Sequence, residues 1–186
     1  MRANLRQQLQ IADMGMPLTL DYEQALAEHG GESWFGVAVA FRMLQAAGRR
    51  LSRQRLWDRQ GLWITSGHPG RGVRDAVETV TRCVSRNCYR VEREEIACGR
   101  GMRFAWWVEQ GGERGGSVSL SLRDDFVPEE LYQLLERIDS HREQRRDRVR
   151  FAALKWQLAE QVWREPLARL FRVEEGMRTL ETGCRA

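Results

Sequence analysis

The chain has few cysteines and no long apolar run, and each shortage excludes a class of protein. Its 186 residues include 4 cysteines, too few for a scaffold held by disulfides, so we expect reduced thiols and a cytoplasmic location. The longest apolar runs, residues 37–41 and 104–108, are far shorter than the roughly 20 residues that cross a bilayer. The N-terminus lacks the apolar stretch of a secretory signal. We therefore expect neither a membrane span nor secretion.

Lysine is also scarce, because every basic residue except Lys155 is an arginine, and 30 basic residues face 26 acidic ones. Arginine suits phosphate and nucleic acid, but interleaved charges of both signs are typical of a salt-bridged surface. The best candidate site for nucleic acid is the connector of residues 49–59, where Trp57 lies among arginines. The alternative is a solvated loop whose long side chains cover apolar neighbours. We therefore do not expect nucleic acid as the partner.

The spacing of apolar residues predicts an α+β domain, with a mixed or antiparallel sheet packed against helices. Helices are predicted after Asp21, from Ser33, over residues 73–84 and after Pro128. A strand is predicted within residues 61–67. Strict alternation of apolar residues with serines predicts an antiparallel hairpin over residues 104–123 with one solvated face, its apolar positions being Val118, Leu120 and Leu122.

A polar stretch begins at about residue 140, where we place a boundary between a domain of residues 1–140 and a helical extension of residues 141–186. Apolar residues in the extension recur with spacings of three and four, which is the pattern of an a/d seam; they are Val149, Ala152, Trp156, Ala159 and Trp163. A seam needs a partner, since two exposed tryptophans present a large apolar area. That partner is either the same chain or a second copy.

Several segments, in order, resemble the E-subunit family of formylmethanofuran dehydrogenase. The family carries a helix ending in His-Gly-His-x-Cys-Pro-Gly and then an apolar helix with an arginine six residues after the glycine. Residues 23–31 and 36–43 are similar to this segment, with Gly36 and Arg42 at the matching separation. The family helix of the form DAVQVxTGC is similar to residues 73–83. Looser similarities at residues 99–109 and 162–175 extend the resemblance over about residues 20–184.

The resemblance implies an α+β domain over residues 1–140, a homodimer and a ligand site near the first helix junction. The family's parent enzyme reduces carbon dioxide onto methanofuran at a molybdenum or tungsten pterin that other subunits hold. Members of the family are not the catalytic chain. The implied function is therefore an accessory or small-ligand-binding protein, linked to one-carbon or molybdopterin enzyme metabolism and able to serve as a subunit of a larger complex.

The family's metal ligands are mostly replaced in this chain. His29 matches the first histidine, but Gly31 stands at the second and Gly72 stands at a cysteine position. Cys83 matches the cysteine that ends the DAVQVxTGC helix. Cys184 stands alone where the family can carry a Cys-x-x-Cys zinc ribbon, and one thiolate does not make such a site. We therefore expect the C-terminal extension to lack a complete zinc ribbon.

Three hypotheses about function remain. In the first, a small ligand binds at the helix junction and the following loop, at His29, Trp34, Arg42, His68, Arg71, Gly72 and Arg74. The glycine-rich turn before residue 73 and the start of its helix favour an anion. The alternative is that this turn is only structural and that the aromatic side chains fill the core. A residual metalloenzyme would hold zinc or another divalent metal at His29, His68 and Cys83, unless the histidines are merely hydrogen-bonded and the thiol inert. An arginine-rich module for nucleic acid or other anions is the third. No self-sufficient active site is recognised.

Overall fold

A computed structural model of the chain describes residues 5–92, 103–112 and 115–176. Cys98, Cys184 and residues 99–102 of the resemblance lie outside this part. The described strands and helices follow one another along the chain as β1 Gln8–Asp13, β2 Met16–Asp21, α1 Tyr22–His29, α2 Trp34–Leu51, β3 Leu62–Ser66, α3 Arg71–Thr81, β4 Tyr89–Val91, β5 Ala105–Gln110, β6 Gly116–Leu122, α4 Glu129–Asp139, α5 Arg145–Arg164, α6 Leu167–Leu170 and β7 Phe171–Glu175. None of the helices in these ranges is both long enough and apolar enough to span a bilayer.

The strands form two sheets, and the predicted α+β class is confirmed. β1 and β2 make a separate antiparallel hairpin, whereas the main sheet has the order β4-β3-β5-β6-β7. Only β3 and β4 pair in parallel in this sheet; its other described pairs are antiparallel. The predicted hairpin is β5–β6, in which Val118, Leu120 and Leu122 are buried between partly exposed serines.

α1 begins and ends where its capping residues predict. The Asp21 carboxylate accepts a hydrogen bond from Gln24 N–H at 2.8 Å, and Gly30 ends α1 in the left-handed conformation with φ 58°. α3, however, ends at Thr81 rather than at the predicted residue 84. Arg82 takes a left-handed φ of 57°, and the Glu78 carboxylate accepts hydrogen bonds from the backbone N–H groups of Val84 and Ser85, so the chain leaves the helix there.

α2 is the central helix, and it contacts α3, α5 and the main sheet. Two glycines allow α2 and α3 to approach closely. A Cβ atom on Gly72 would lie 2.6 Å from Ser33 O, and one on Gly36 would lie 3.3 Å from Val73 N. Gly72 therefore packs the helix start that carries the candidate ligand residues.

The seam predicted on α5 is only partly covered by this chain, which buries Ala159 of its five positions. Val149 and Trp156 are 65% and 55% exposed, while Leu154, Leu158 and Val162 face the core. Apolar residues occur on both faces of this helix, so their spacing alone fits two phases. The buried face packs on α2, so residues from both sides of the predicted boundary share one hydrophobic core.

Candidate functional site

His29 joins the three helices at the predicted junction. Its Nε2 accepts a hydrogen bond from Ser33 N–H at 3.2 Å, so the ring proton is assigned to Nδ1, which donates to Asp75 Oδ2 at 2.8 Å. A Cβ atom on Gly31 would lie 2.9 Å from Nε2, so this glycine leaves room for the ring. The side chain is 3% exposed, and both nitrogens are engaged. In this geometry His29 connects helices and offers no free donor atom to a metal.

Asp75 contacts three of the predicted ligand residues, and this shared contact was not predicted from the sequence. Besides His29, it contacts Arg71 Nε at 3.3 Å and Arg74 Nη1 at 3.8 Å. Both arginines are exposed, and both lie beside the carboxylate of Asp75. The charge that these arginines would offer to an anion at the start of α3 is therefore partly neutralised.

His68 lies in the core and not at a surface loop. Its Nδ1 accepts a hydrogen bond from Gly70 N–H at 2.9 Å, and its ring centre is 4.4 Å from that of Phe104. Burial lowers the pKa of His68 to about 4. The ring is thus neutral near pH 7, and the backbone amide of Gly70 is engaged instead of pointing at an anion.

Cys83 is also buried, and its thiol donates to Leu62 O at 3.5 Å. Burial raises the pKa of Cys83 to about 11, so the metal-binding thiolate is disfavoured. Across the three described ranges, no group of three histidine, cysteine, aspartate or glutamate residues is arranged to hold a metal ion. The structure does not bring His29, His68 and Cys83 together as a ligand set.

The aromatic residues of the predicted junction pack against protein. Phe35 is buried against Phe104, at 5.3 Å between ring centres. Trp34 is partly exposed and meets Trp156 edge to face at 5.6 Å, with Lys155 Nζ 5.9 Å from its ring centre. Core filling is therefore the role of Phe35, whereas Trp34 covers the edge of α5.

The arginine-rich connector does not offer the predicted stacking residue. Trp57 is fully buried, and its Nε1–H donates to Gln10 O at 2.7 Å. A Cβ atom on Gly48 would lie 2.9 Å from the indole, so this glycine makes space for the ring. The prediction that Trp57 is available to a nucleic-acid base is wrong, because the indole instead fixes β1 to the end of α2.

Arg42 is a predicted ligand residue that is buried and bonded only to neutral groups. It lies in the middle of α2 and is 7% exposed. Its Nη1 donates to Gln45 Oε1 at 2.9 Å and its Nη2 donates to Glu165 O at 2.5 Å. The guanidinium carbon lies 5.3 Å from the ring centre of Trp163, a distance at which the ring attracts a cation.

No carboxylate forms a salt bridge with Arg42 in the part of the chain that the structure describes, and its buried Nε lacks a hydrogen-bond partner there. Burial and then the charges of Arg49 and Arg6 lower the pKa of Arg42 to about 10. The guanidinium is still protonated at neutral pH. It thus carries a buried positive charge near two further positive charges, without a negative one bonded to it.

Arg42 lines a cleft of about 720 Å³ between α2, the β1–β2 hairpin and the end of α5. Four arginines and one glutamate are among the lining residues: Arg6, Arg42, Arg49, Arg164 and Glu165. Amide and hydroxyl side chains of Gln8, Gln10, Thr19 and Gln45 line it as well. Two Gln45 Nε2 hydrogen bonds, to Arg6 O at 2.9 Å and Gln8 O at 2.7 Å, fix the amide that holds Arg42.

The sequence contained one signal for this cleft beyond the resemblance. Arg42 is the only charged residue in the first fifteen positions of α2, and a charge inside an otherwise apolar helix is unusual unless it is paired or functional. Its neighbours Trp163 and Glu165 come from a helix end more than a hundred residues later. No protein-family model matches this chain and no curated protein does either.

Proposed function

We propose that the protein binds a small anionic ligand, with a carboxylate or phosphate group, in the cleft at Arg42. The observation that carries this proposal is the buried guanidinium, which has other arginines around it but no bonded carboxylate among the residues that the structure describes. An unpaired buried charge is costly, and an oxyanion beside it would offset that cost. The Nε–H group without a partner is a donor that such an oxyanion can use.

The size and lining of the cleft fit a small molecule better than a polymer. Pockets for small ligands have volumes of about 300–1,000 Å³ and combine apolar surface with a few placed polar groups. Leu9, Leu167 and Trp163 supply the apolar surface here. Thr19, Gln8 and Gln10 supply hydrogen-bonding groups for the uncharged part of the ligand.

The wider role that we propose is that of an accessory or ligand-binding protein, and not of a catalytic subunit. The family resemblance supports a link with formylmethanofuran dehydrogenase or another enzyme of one-carbon or molybdopterin metabolism, where the chain can act as a subunit. We propose a cytoplasmic location, which the two free buried thiols Cys83 and Cys88 support.

Isothermal titration with inorganic phosphate and with a series of small carboxylates tests the site. We expect at least one of these anions to bind, and Arg42→Gln to weaken that binding about tenfold to a hundredfold. Hydrogen bonds to a charged group contribute about 1.5–3 kcal/mol. Binding should also weaken as salt is added, because the anion competes with chloride for the same charges.

Arg50→Gln is the matched control, because Arg50 follows Arg49 in α2 but pairs with Glu175 outside this cleft, at 3.1 Å. It should leave the affinity unchanged. Equal affinities for the wild-type chain, Arg42→Gln and Arg50→Gln would show that the anion binds elsewhere, and the absence of binding by every anion in the series would refute the proposal.

A further inference from the structure

α5 exposes an apolar stripe on the side opposite its buried face. Val149 and Trp156 are two of the five large hydrophobic side chains that are exposed in the described part of the chain. Ala153, also exposed, lies between them. At about 100° per residue, Val149, Ala153, Trp156 and Glu160 fall within roughly 60° of one another around the helix axis. An apolar stripe of this kind on a surface helix marks an interaction site.

Charged residues lie at both ends of the stripe, and their signs are opposite. Arg145 precedes Val149 by one turn, and no salt bridge of Arg145 occurs among the described residues. Glu160 follows Trp156 by one turn and bonds to Arg164 Nη2 at 2.7 Å. The stripe therefore runs from the cation of Arg145, through apolar side chains, to the carboxylate of Glu160, which is shared with Arg164 of the same helix.

This order is self-complementary when a second copy of the helix runs in the opposite direction. A two-fold axis between Ala152 and Ala153 brings Val149 opposite Trp156 of the second copy. It also brings Arg145 opposite Glu160 of the second copy, and each contact occurs twice, as an isologous interface requires. The alanines at the axis allow the two helices to approach to about 8–10 Å.

We propose that two copies of this chain associate through α5 as an antiparallel helix pair, with Ala152 and Ala153 at the two-fold axis. The pairing covers Val149 and Trp156 and satisfies Arg145 with a carboxylate. Charge complementarity favours a second copy over an unrelated apolar partner, because both the positive and the negative end of the stripe find their opposite in the same sequence. The inference does not depend on the anion site.

Sedimentation of charge-reversal variants over about a hundredfold range of protein concentration tests the pairing. Arg145→Glu and Glu160→Arg each place like charges opposite one another, so we expect each to weaken dimerisation about tenfold or more. The double variant Arg145→Glu with Glu160→Arg restores both pairs and should recover the dimer. Arg90→Glu, on the exposed side of β4, makes the same charge change away from α5 and should have no effect.

Two results from the sedimentation experiment contradict the proposal. One is a chain that remains monomeric at all concentrations. A monomer that binds vesicles of anionic lipid through α5 belongs to this first result. The other is a double variant that dimerises no better than either single variant. Val149→Glu is a second variant that tests the pairing, because Val149 is 65% exposed and its replacement leaves the core intact. We expect this variant to be a folded monomer.

Crosslinking distinguishes the antiparallel pairing from a parallel one. In a background of Cys98→Ser and Cys184→Ser, Ala153→Cys places the two thiols near the axis, so a short bis-maleimide should join them. Glu160→Cys, on the stripe itself, places them about 22 Å apart along the helix axis in the antiparallel pair, so the same reagent should fail. Efficient crosslinking of both variants indicates a parallel pairing, and crosslinking of neither indicates another interface; either result overturns the proposal.

Discussion

Arg42 and Arg59 are both buried, at 7% and 6% exposure, but their hydrogen-bond partners differ. Arg59 donates from Nε to Val80 O at 2.8 Å and from Nη2 to Thr79 O at 3.0 Å. Its Nη1 lies 3.3 Å from Asp13 Oδ2. Each of its three nitrogens therefore has a partner, and one of these partners is a carboxylate. Arg59 connects the end of α3 to β1 and is structural.

Arg42 has a neutral amide and a backbone carbonyl as partners, from Gln45 and Glu165, and its Nε–H group has no partner within the described ranges. Nearby arginines add positive charge around it, whereas Asp13 neutralises Arg59. Burial by itself thus does not show whether an arginine is neutralised by the folded chain. The difference lies in whether the folded chain provides the counter-charge.

The largest effect in this comparison should come from Arg59→Gln. The substitution leaves Thr79 O and Val80 O without their donors and removes the ion pair with Asp13, so we expect the free energy of unfolding to fall by about 3–5 kcal/mol. Urea titration measures this loss. Arg55→Gln, in the exposed connector nearby, is the control and should change stability little. A small loss for Arg59→Gln would remove the distinction between the two arginines.

A second buried group, His68, gives an expected dependence of stability on pH. Its pKa is about 4 in the folded chain, against an ordinary value of about 6.5 in the unfolded chain. As the pH falls from about 6.5 to about 4, the unfolded state therefore binds a proton that the folded state does not. The contribution of His68 to stability is fully present above pH 6.5, and on the order of 3 kcal/mol is lost on acidification.

The variant His68→Asn isolates this contribution. Asparagine is chosen because its amide does not titrate in this pH range, while its oxygen can accept from Gly70 N–H as the ring does. Chemical denaturation of the variant and the wild-type chain between pH 4 and pH 7 should give a shallower loss of stability for the variant. Parallel curves would indicate that His68 is not the titrating group.

The smallest effect on stability should come from Arg42→Gln in the absence of anions. The variant loses the hydrogen bond to Glu165 O but also removes a buried charge that lies near Arg6 and Arg49. These terms oppose each other, so we expect a change within about 1 kcal/mol. Thermal unfolding measures this change in stability. The buffer combines an uncharged base with a bulky anion, so that no small anion occupies the cleft. A loss as large as that of Arg59→Gln would assign Arg42 a structural role.

The parts of the fold that local sequence predicted are those with a local cause. Alternation from Val118 to Leu122 indicated the β6 strand, and Asp21 with Gly30 defined the ends of α1. The β1–β2 hairpin and the edge strand β7 were missed, because their pairing partners, and not their own composition, make them strands. The seam predicted on α5 coincides only in part with the face that this chain buries, because both faces of the helix carry apolar side chains.

The candidate site divides in the same way. The resemblance singled out Arg42 and His29, and Gly72 was identified at the start of α3. The sequence could not reveal that His29 is engaged by Asp75 or that His68 packs on Phe104, since both contacts join residues that are far apart in the chain. It also could not show that Trp57 is buried against β1.

The α+β class, the capped helices and the hairpin follow from the order of the amino acids alone, because they depend on spacings of two to four residues and on capping side chains. The packed chain was needed to show which charges are neutralised. Asp13 reaches Arg59 across 46 positions, and Glu165 O reaches Arg42 across 123. Such partners are chosen by the packing of helices and strands, and they separate a buried cation that is paired with a carboxylate from one that is bonded only to neutral groups.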